Sequence, residues 1–178
     1  VCSSDLAWLV GRRGVAPWQV LAMTFTNKAA GEMRERVALT VGEGARDLWL
    51  GTFHSIGVRL LRQLAPYAGL RPTFSIYDTD DQEKVITRVM KTLGLSDLQY
   101  KPRQFAHYID RAKNRGLLPV DGGLAEEIDS TFARQALRVY EAYEEQMRLA
   151  DAVDFGDLIL RPYRVLAQHE DVRHNLDR

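Results

Sequence analysis

The sequence contains one cysteine, no long apolar run and no excess of charge of either sign. Cys2 has no partner for a disulfide within the chain, and no group of cysteines and histidines has the spacing of a zinc site. The longest nearly apolar stretch, residues 15–23, contains Pro17 and Gln19 and is too short to span a bilayer. These absences exclude an internal disulfide and a zinc module, leave no visible transmembrane segment, and favour a reducing, cytoplasmic location.

The charge balance gives no support for a nucleic-acid partner, since 24 Lys and Arg residues face 24 Asp and Glu residues. Any affinity for DNA must come from a local arrangement of side chains. The chain of 178 residues, 46% of them hydrophobic, has the composition of a folded globular protein and is long enough for one domain or parts of two. Because it begins with Val1 and ends without a helix stop signal, we expect both ends to be cuts in a longer reading frame.

Two short apolar runs, each followed by a helical pattern, open the chain. Residues 19–25 (QVLAMTF) predict a buried strand, and Asn27 is predicted to cap the helix that follows. Residues 48–53 (LWLGTF) predict a second strand with its own helix. The predicted apolar stripes are Ala30, Met33, Val37 and Val41 in the first helix and Ile56, Leu60, Leu61 and Leu64 in the second. Consecutive strand–helix units predict a parallel sheet with crossover helices.

After Pro66 the pattern becomes mainly helical. One more strand is predicted at residues 73–77 (TFSIY), and a last helix is predicted to start near Asp154. Three further stripes have helical spacing: Val85, Val89, Met90 and Leu93; Phe105, Tyr108, Ile109 and Ala112; and Phe132, Ala136, Tyr140, Tyr143 and Met147. The second part is therefore predicted to be a mainly helical subdomain.

The segment TFTNKAA, residues 24–30, places hydroxyls, an amide, a lysine and an aromatic ring at the carboxyl end of the first strand. Ligands bind at that edge of open parallel sheets, where helix N-termini offer N–H groups to anions. Donors for phosphates and a ring face for a base suit a nucleic-acid strand. In the structural alternative, which the chemistry alone favours, Thr24 and Phe25 finish the strand, Asn27 caps the helix and Lys28 is solvated.

The segment GTFHS, residues 51–55, repeats this design after the second strand. Thr52 and Ser55 can bond phosphate, and neutral His54 can donate one hydrogen bond. Gly51 lets a backbone approach closely. Two polar strand ends side by side predict a continuous groove. A lone histidine at a strand end is more often structural, and no metal cluster or nucleophile gives His54 a catalytic role.

Two carboxylates lie three residues apart in DFGDLI, residues 154–159. Such a pair could indicate a metal site. However, Asp154 as a helix cap and Asp157 in the favourable field of the helix dipole explain both without a metal. We therefore predict no metal-binding residues.

The phosphate-binding loop GxxxxGK[ST] is absent, and the glycine pair in residues 10–14 (VGRRG) lacks the Lys-Ser/Thr ending. No apolar strand ends in the Asp-Glu pair that would hold magnesium. We therefore predict that the chain itself has no catalytic residues, binds no cofactor and hydrolyses no ATP.

In order and spacing, these motifs resemble those of superfamily 1 DNA helicases of the UvrD/PcrA/Rep type. Residues 20–37 resemble motif Ia of that family, and residues 51–62 resemble its next DNA-contacting motif. Residues 74–78 (FSIYD) are similar to the start of the 1B subdomain, and DFGDLI resembles the DFDDL segment before the Walker B strand. The resemblance runs from about Ala7 to the C-terminus.

The resemblance implies an ATP-driven 3′-to-5′ DNA helicase and translocase. It implies an α/β fold: a truncated P-loop NTPase motor domain with a partial RecA-like parallel sheet and crossover helices, followed by a mainly helical subdomain. Domain 1A would cover residues 1–72, domain 1B residues 73–165, and the return to 1A residues 166–178. The full-length protein would use ATP and Mg and act on single-stranded DNA and single/double-strand junctions.

The motifs also carry over DNA-binding roles, with Phe25 and Phe155 facing bases of the single strand. Its backbone path would be lined by Thr26, Asn27, Thr52, His54 and Ser55. Family members have Asp where this chain has Gly156, and a glycine near a helix start is expected to loosen the turn that holds Phe155. Two alternatives stay open: the motor part of a RecB/AddA-like helicase-nuclease, and a non-catalytic single-strand-binding module derived from a helicase.

Overall fold

A computed structural model describes residues 3–96, 98–124 and 130–176. The chain forms two compact units, Val1–Leu60 with Glu170–Arg178, and Leu61–His169. We call the first the α/β unit and the second the helical unit. Cys2, on which the disulfide argument depends, lies outside the described residues, as do the last two residues of the predicted return to domain 1A. The domain bounds at 72 and 165 stay predictions.

The predicted helices and strands occur in the predicted order with small shifts at their ends, and the described residues contain two further α-helices and one further strand. In chain order they are α1 (Ser3–Gly11), β1 (Leu21–Thr24), α2 (Asn27–Val41), β2 (Trp49–Thr52), α3 (Phe53–Leu64), β3 (Ser75–Ile76), α4 (Thr79–Thr92), α5 (Pro102–Asn114), α6 (Thr131–Leu149), β4 (Ala152–Val153), α7 (Asp157–Gln168) and α8 (Glu170–Leu176). Short 3₁₀ helices lie at Pro17–Gln19, Gly42–Arg46 and Pro119–Asp121. The α/β class with a mainly helical second part is confirmed.

Strands β1 and β2 are parallel neighbours, with α2 between them in the sequence. Leu21 lies opposite Trp49, and the register runs on to Thr24 opposite Thr52. The predicted parallel pair with a crossover helix is therefore confirmed. Because the strands end level with each other, the residues that follow them meet at one edge of the sheet.

The core of the α/β unit lies between α2 and one face of this strand pair. Successive side chains of a strand point to opposite faces, and in β1 only Ala22 is buried, while Leu21 and Met23 are exposed. Ala30 and Val37 of α2 are buried, with Met33 and Val41 packed against the same cluster, as the stripe predicts. Its other buried members are Leu6, Val20, Ala22, Ala45, Leu48 and Leu50.

The helical unit has a larger core. Every residue of the three predicted stripes in α4, α5 and α6 lies in one cluster or packs against it, which confirms the stripes. The rings of Phe105 and Phe132 stack with centroids 5.4 Å apart. Tyr140, Tyr143 and Met147 are fully buried along one face of α6. Burying such side chains stabilises a fold by about 1.5–3 kcal/mol each.

Two features of the helical unit differ from the sequence prediction. The strand predicted at residues 73–77 is only β3, and it pairs in parallel with β4, which the sequence did not predict. Helix α7 begins at Asp157, three residues after the predicted start near Asp154, because residues 155–156 form a turn. Among the described residues, none of the helices is both long and apolar enough to cross a membrane.

Candidate nucleic-acid interface

The paired ends of β1 and β2 carry two aromatic rings. Phe25 follows the last residue of β1, and Phe53 begins α3 directly after β2. Their ring centroids lie 5.6 Å apart with the planes tilted by 49°. Phe25 is 89% exposed and Phe53 40% exposed. The exposure shows that the Phe25 ring takes no part in the core, while its contact with DNA stays a prediction.

The residue that caps α2 is Thr26, so the assignment of Asn27 as the cap is wrong. Thr26 has extended backbone angles, and its hydroxyl accepts a hydrogen bond from the N–H of Ala29 at 3.1 Å. Asn27 is already the first helical residue, which leaves its amide exposed together with the side chain of Lys28. A helix start thus presents polar groups to solvent beside the ring of Phe25.

At the end of β2 the polar groups bond to one another. The Thr52 hydroxyl accepts from the N–H of Ser55 at 3.2 Å, and the Ser55 hydroxyl donates to the Thr52 carbonyl at 3.0 Å. A Cβ at Gly51 would lie 2.3 Å from the Ser55 hydroxyl oxygen. The Ser55 hydroxyl thus occupies the space that a Cβ would take, and the expectation that Gly51 lets a backbone approach closely stays a prediction. His54 is exposed on the first turn of α3.

Two arginines hold β2 in place. Arg34 of α2 donates to the carbonyl of Leu50. Arg59 of α3 donates to the carbonyl of Leu48 at 3.4 Å, and its guanidinium lies 4.0 Å from the centroid of the Trp49 ring. Side chains from both helices thus brace the strand that ends in the polar segment, which gives the edge a fixed geometry.

Phe155 lies in the helical unit, in the turn between β4 and α7, and is 47% exposed. Asp154 and Asp157 close this turn reciprocally. The N–H of Asp157 donates to the Asp154 carboxylate at 2.9 Å, and the N–H of Asp154 donates to the Asp157 carboxylate at 3.2 Å. Gly156 occupies the cap position of α7 without a side-chain bond, so Asp154 bonds the helix start from outside the cap position.

Both aspartates also form ion pairs with a buried lysine. Capping and the helix dipole do not account for these ion pairs. The Lys113 ammonium lies 2.7 Å from Asp154, 3.0 Å from Asp157 and 2.8 Å from Glu144. Burial disfavours the charged lysine, but the three carboxylates outweigh it and raise the pKa of Lys113. For Asp157 the effect of burial has the opposite sign, because it favours the neutral acid and would raise the pKa. The positive charges of Lys113 and Arg161 outweigh this effect and hold the pKa of Asp157 below its usual value. The cation beside the Asp154–Asp157 carboxylates, which could have indicated a metal site, is thus the ammonium of Lys113.

The expectation that Gly156 loosens the turn stays a prediction, but other groups hold the turn in place. The turn is closed by the reciprocal hydrogen bonds of Asp154 and Asp157 and by their ion pairs with Lys113. A Cβ at Gly156 would lie 3.1 Å from Cδ of Lys113 and 3.3 Å from a carboxylate oxygen of Asp154. Because glycine has no Cβ, the backbone of the turn packs directly against the aliphatic part of the Lys113 side chain.

The predicted DNA-binding residues separate into two groups. Phe25, Thr26 and Asn27 share the sheet edge with Thr52, His54 and Ser55 in the α/β unit. Phe155 belongs to the helical unit.

Comparison with known proteins decides the family. The model of the UvrD/REP helicase N-terminal domain matches residues 1–178. The chain belongs to the UvrD/REP helicase family. The match begins at the first residue, so the family resemblance is not confined to the part after Ala7, as the motifs alone suggested. Leu6 accordingly lies in the core cluster of the α/β unit.

Several UvrD/REP family proteins are similar over most of the chain. ATP-dependent DNA helicase UvrD1 of Mycobacterium tuberculosis is 46% identical over 169 residues, which are 93% of this chain and 22% of the relative. ATP-dependent DNA helicase PcrA of Leuconostoc citreum is 41% identical over 97% of this chain and 23% of the relative. PcrA of Staphylococcus aureus is 39% identical over 90% of this chain. The chain thus spans 22–23% of the length of the first two relatives.

Sequence reasoning missed two residues that shape these segments of the UvrD/REP chain. Phe53 stands inside GTFHS, and the level ends of the two strands could have paired it with Phe25. Lys113 stands four residues after Ile109 and eight after Phe105, so it occupies a core position of an otherwise apolar stripe. A lysine at such a position is a sequence signal for a buried ion pair.

Proposed function

We propose that the chain is part of the motor of an ATP-dependent 3′-to-5′ DNA helicase and that its α/β unit binds single-stranded DNA at the paired ends of β1 and β2. In this proposal the unit belongs to a RecA-like domain 1A, and most of the helical unit forms domain 1B. The relatives named above are ATP-dependent DNA helicases, which supports the motor assignment.

The observation that carries the DNA-binding role is the exposed ring of Phe25. An aromatic side chain that leaves 89% of its surface in water does not stabilise the core. It lies at the carboxyl edge of a parallel strand pair, where ligands of such sheets bind, and next to the start of α2. Base stacking on an exposed ring, with phosphates near Thr26, Asn27, Thr52, His54 and Ser55, fits these groups. Phe155 supplies a second ring from the helical unit.

ATP and Mg belong to other parts of the protein in this proposal. The sequence has no GxxxxGK[ST] loop, and the carboxylates of Asp154 and Asp157 are bound to Lys113. The residues present therefore do not fit a nucleotide site. The purified 178-residue chain should show no DNA-stimulated ATP hydrolysis above a mock preparation. Turnover that co-purifies with the chain and survives further purification would contradict this.

The helicase-nuclease alternative receives no support from the relatives, which carry the names UvrD1 and PcrA. The remaining alternative, a non-catalytic single-strand-binding module, differs in what lies outside the chain. A GxGKT loop upstream and a DExx strand downstream in the reading frame would support the motor and exclude the module.

The test of the DNA-binding role is Phe25→Ala in the full-length protein. Loss of one stacked base should weaken binding to oligo-dT by about 1–3 kcal/mol with little change in melting temperature. Leu39→Ala is the matched control, because Leu39 lies in the same unit and is also 89% exposed. If both variants bind oligo-dT like the parent, the proposed contact is wrong.

A further inference from the structure

The buried lysine of the helical unit is an unusual choice for a core position. Lys113 lies in the apolar stripe of α5, and its side chain is fully buried. A buried ion pair recovers its desolvation cost only with good geometry, and a well-packed apolar side chain of similar size often stabilises a fold as well or better. Stability alone therefore gives little reason for a charge at this position.

What the lysine holds is the turn on either side of Phe155. Asp154 precedes the ring and Asp157 follows it by two residues, and both carboxylates contact the same ammonium. Glu144 of α6 lies 2.8 Å from this ammonium, so the turn is tied to α5 and α6 together. Tyr143 adds a hydrogen bond from its hydroxyl to Asp154 at 2.8 Å.

This arrangement leaves the turn little freedom to rotate. Asp154 and Asp157 are buried, while Phe155 between them is half exposed. Gly156 packs so closely against the Lys113 stem that a Cβ at this position would lie 3.1 Å from Cδ of the lysine. A rotation of the turn that pulled Asp154 away from the lysine would leave this buried carboxylate without the ammonium, whereas Asp157 would keep Arg161 at 3.1 Å.

We propose that Lys113 is a positioning residue that fixes the Asp154–Asp157 turn so that the ring of Phe155 faces outward to stack on a base of single-stranded DNA. The inference rests on the proposed function, because it takes Phe155 as a DNA contact. Lys113 itself touches no DNA and acts through Phe155. A pre-organised ring binds more tightly because the protein loses less conformational freedom on binding.

The test is a double-mutant cycle in the full-length protein, with oligo-dT as the probe. Phe155→Ala should weaken binding by about 5- to 150-fold, the loss of one stacked base. Lys113→Met should cause part or all of this loss in the parent and no further loss in the Phe155→Ala protein. It should also raise the oligo-dT concentration that half-saturates ATP hydrolysis and leave kcat unchanged. Lys91→Met, at an exposed site of the same unit, should change neither value.

Lys113→Met removes the ammonium beside buried Asp154, while Arg161 still lies 3.1 Å from Asp157, so the folding of the variant is checked by circular dichroism. If it does not fold, Asp154→Asn decides, since it keeps the shape and removes one of the charges that hold the turn. Full affinity in the folded variant, beside a weakened Phe155→Ala protein, overturns the positioning role. An added loss in the Phe155→Ala background overturns it as well. If Phe155→Ala itself binds normally, the DNA contact of Phe155 fails, and the inference fails with it.

Discussion

The core clusters of the two units differ in aromatic content: aromatic rings pack into the cluster of the helical unit, whereas the described cluster of the α/β unit consists of aliphatic side chains. The helical unit buries Phe105, Tyr140 and Tyr143 in one large cluster. The α/β unit leaves Phe25 almost fully exposed and leaves Leu21 and Met23 of β1 outside its core. The difference agrees with the proposal that the sheet edge of the α/β unit binds DNA, whereas the buried rings of the helical unit stabilise its core.

The largest effect expected from this comparison is on stability. Phe105→Ala should destabilise the helical unit by about 3–5 kcal/mol, because it removes a fully buried ring. Phe25→Ala and the control Leu98→Ala, at a 96% exposed site, should each change stability by about 0.5 kcal/mol or less. Urea unfolding followed by circular dichroism measures all three. If Phe25→Ala unfolded at a clearly lower urea concentration than the parent, Phe25 would have to contribute to the core, which would contradict the comparison.

The helical unit should also lose stability at alkaline pH. Burial raises the pKa values of Tyr140 and Tyr143, and the surrounding carboxylates, despite burial, raise that of Lys113. The unfolded chain then loses these protons at lower pH than the folded chain, so stability is complete below about pH 10 and falls above it.

Tyr143→Phe sharpens this prediction, because it removes one of the titrating protons. Above about pH 10, where the unfolded chain loses this proton, the slope of unfolding free energy against pH should become shallower by up to about 1.4 kcal/mol per pH unit. Urea midpoints from pH 8 to pH 11 give the slope. Parallel curves for the variant and the parent would show that Tyr143 does not contribute.

Much of this architecture is readable from the sequence because it depends on local periodicity. The stripes of α4, α5 and α6 and the two strand–helix units are patterns within a few residues of each other. The capping of α2 by Thr26 was missed because Thr and Asn are both good caps, and only backbone angles separate them. Lys113 pairs with Asp154 across 41 residues, a contact that no local pattern shows. Strand β4 was missed because a pair of residues carries no alternation.

The smallest expected effect is that of the second ring at the sheet edge. Phe53→Ala removes the neighbour of Phe25, and aromatic pairs contribute about 0.5–1.5 kcal/mol beyond their burial. Binding to oligo-dT in the full-length protein should weaken by that amount, less than for Phe25→Ala. Phe53→Tyr keeps the ring and should retain affinity. A larger loss for Phe53→Ala than for Phe25→Ala would make Phe53 the primary contact and reverse the assignment.

The central claim, that the exposed edge of the α/β unit binds single-stranded DNA, is tested most directly by photocrosslinking. Ultraviolet light joins thymines to aromatic rings that they touch, and mass spectrometry of peptides from the oligo-dT complex identifies the attached residue. We predict crosslinks at Phe25 or Phe53 and their loss when excess unlabelled oligo-dT competes. Crosslinks that avoid residues 24–30 and 51–55 while the protein is saturated with oligo-dT would contradict the account.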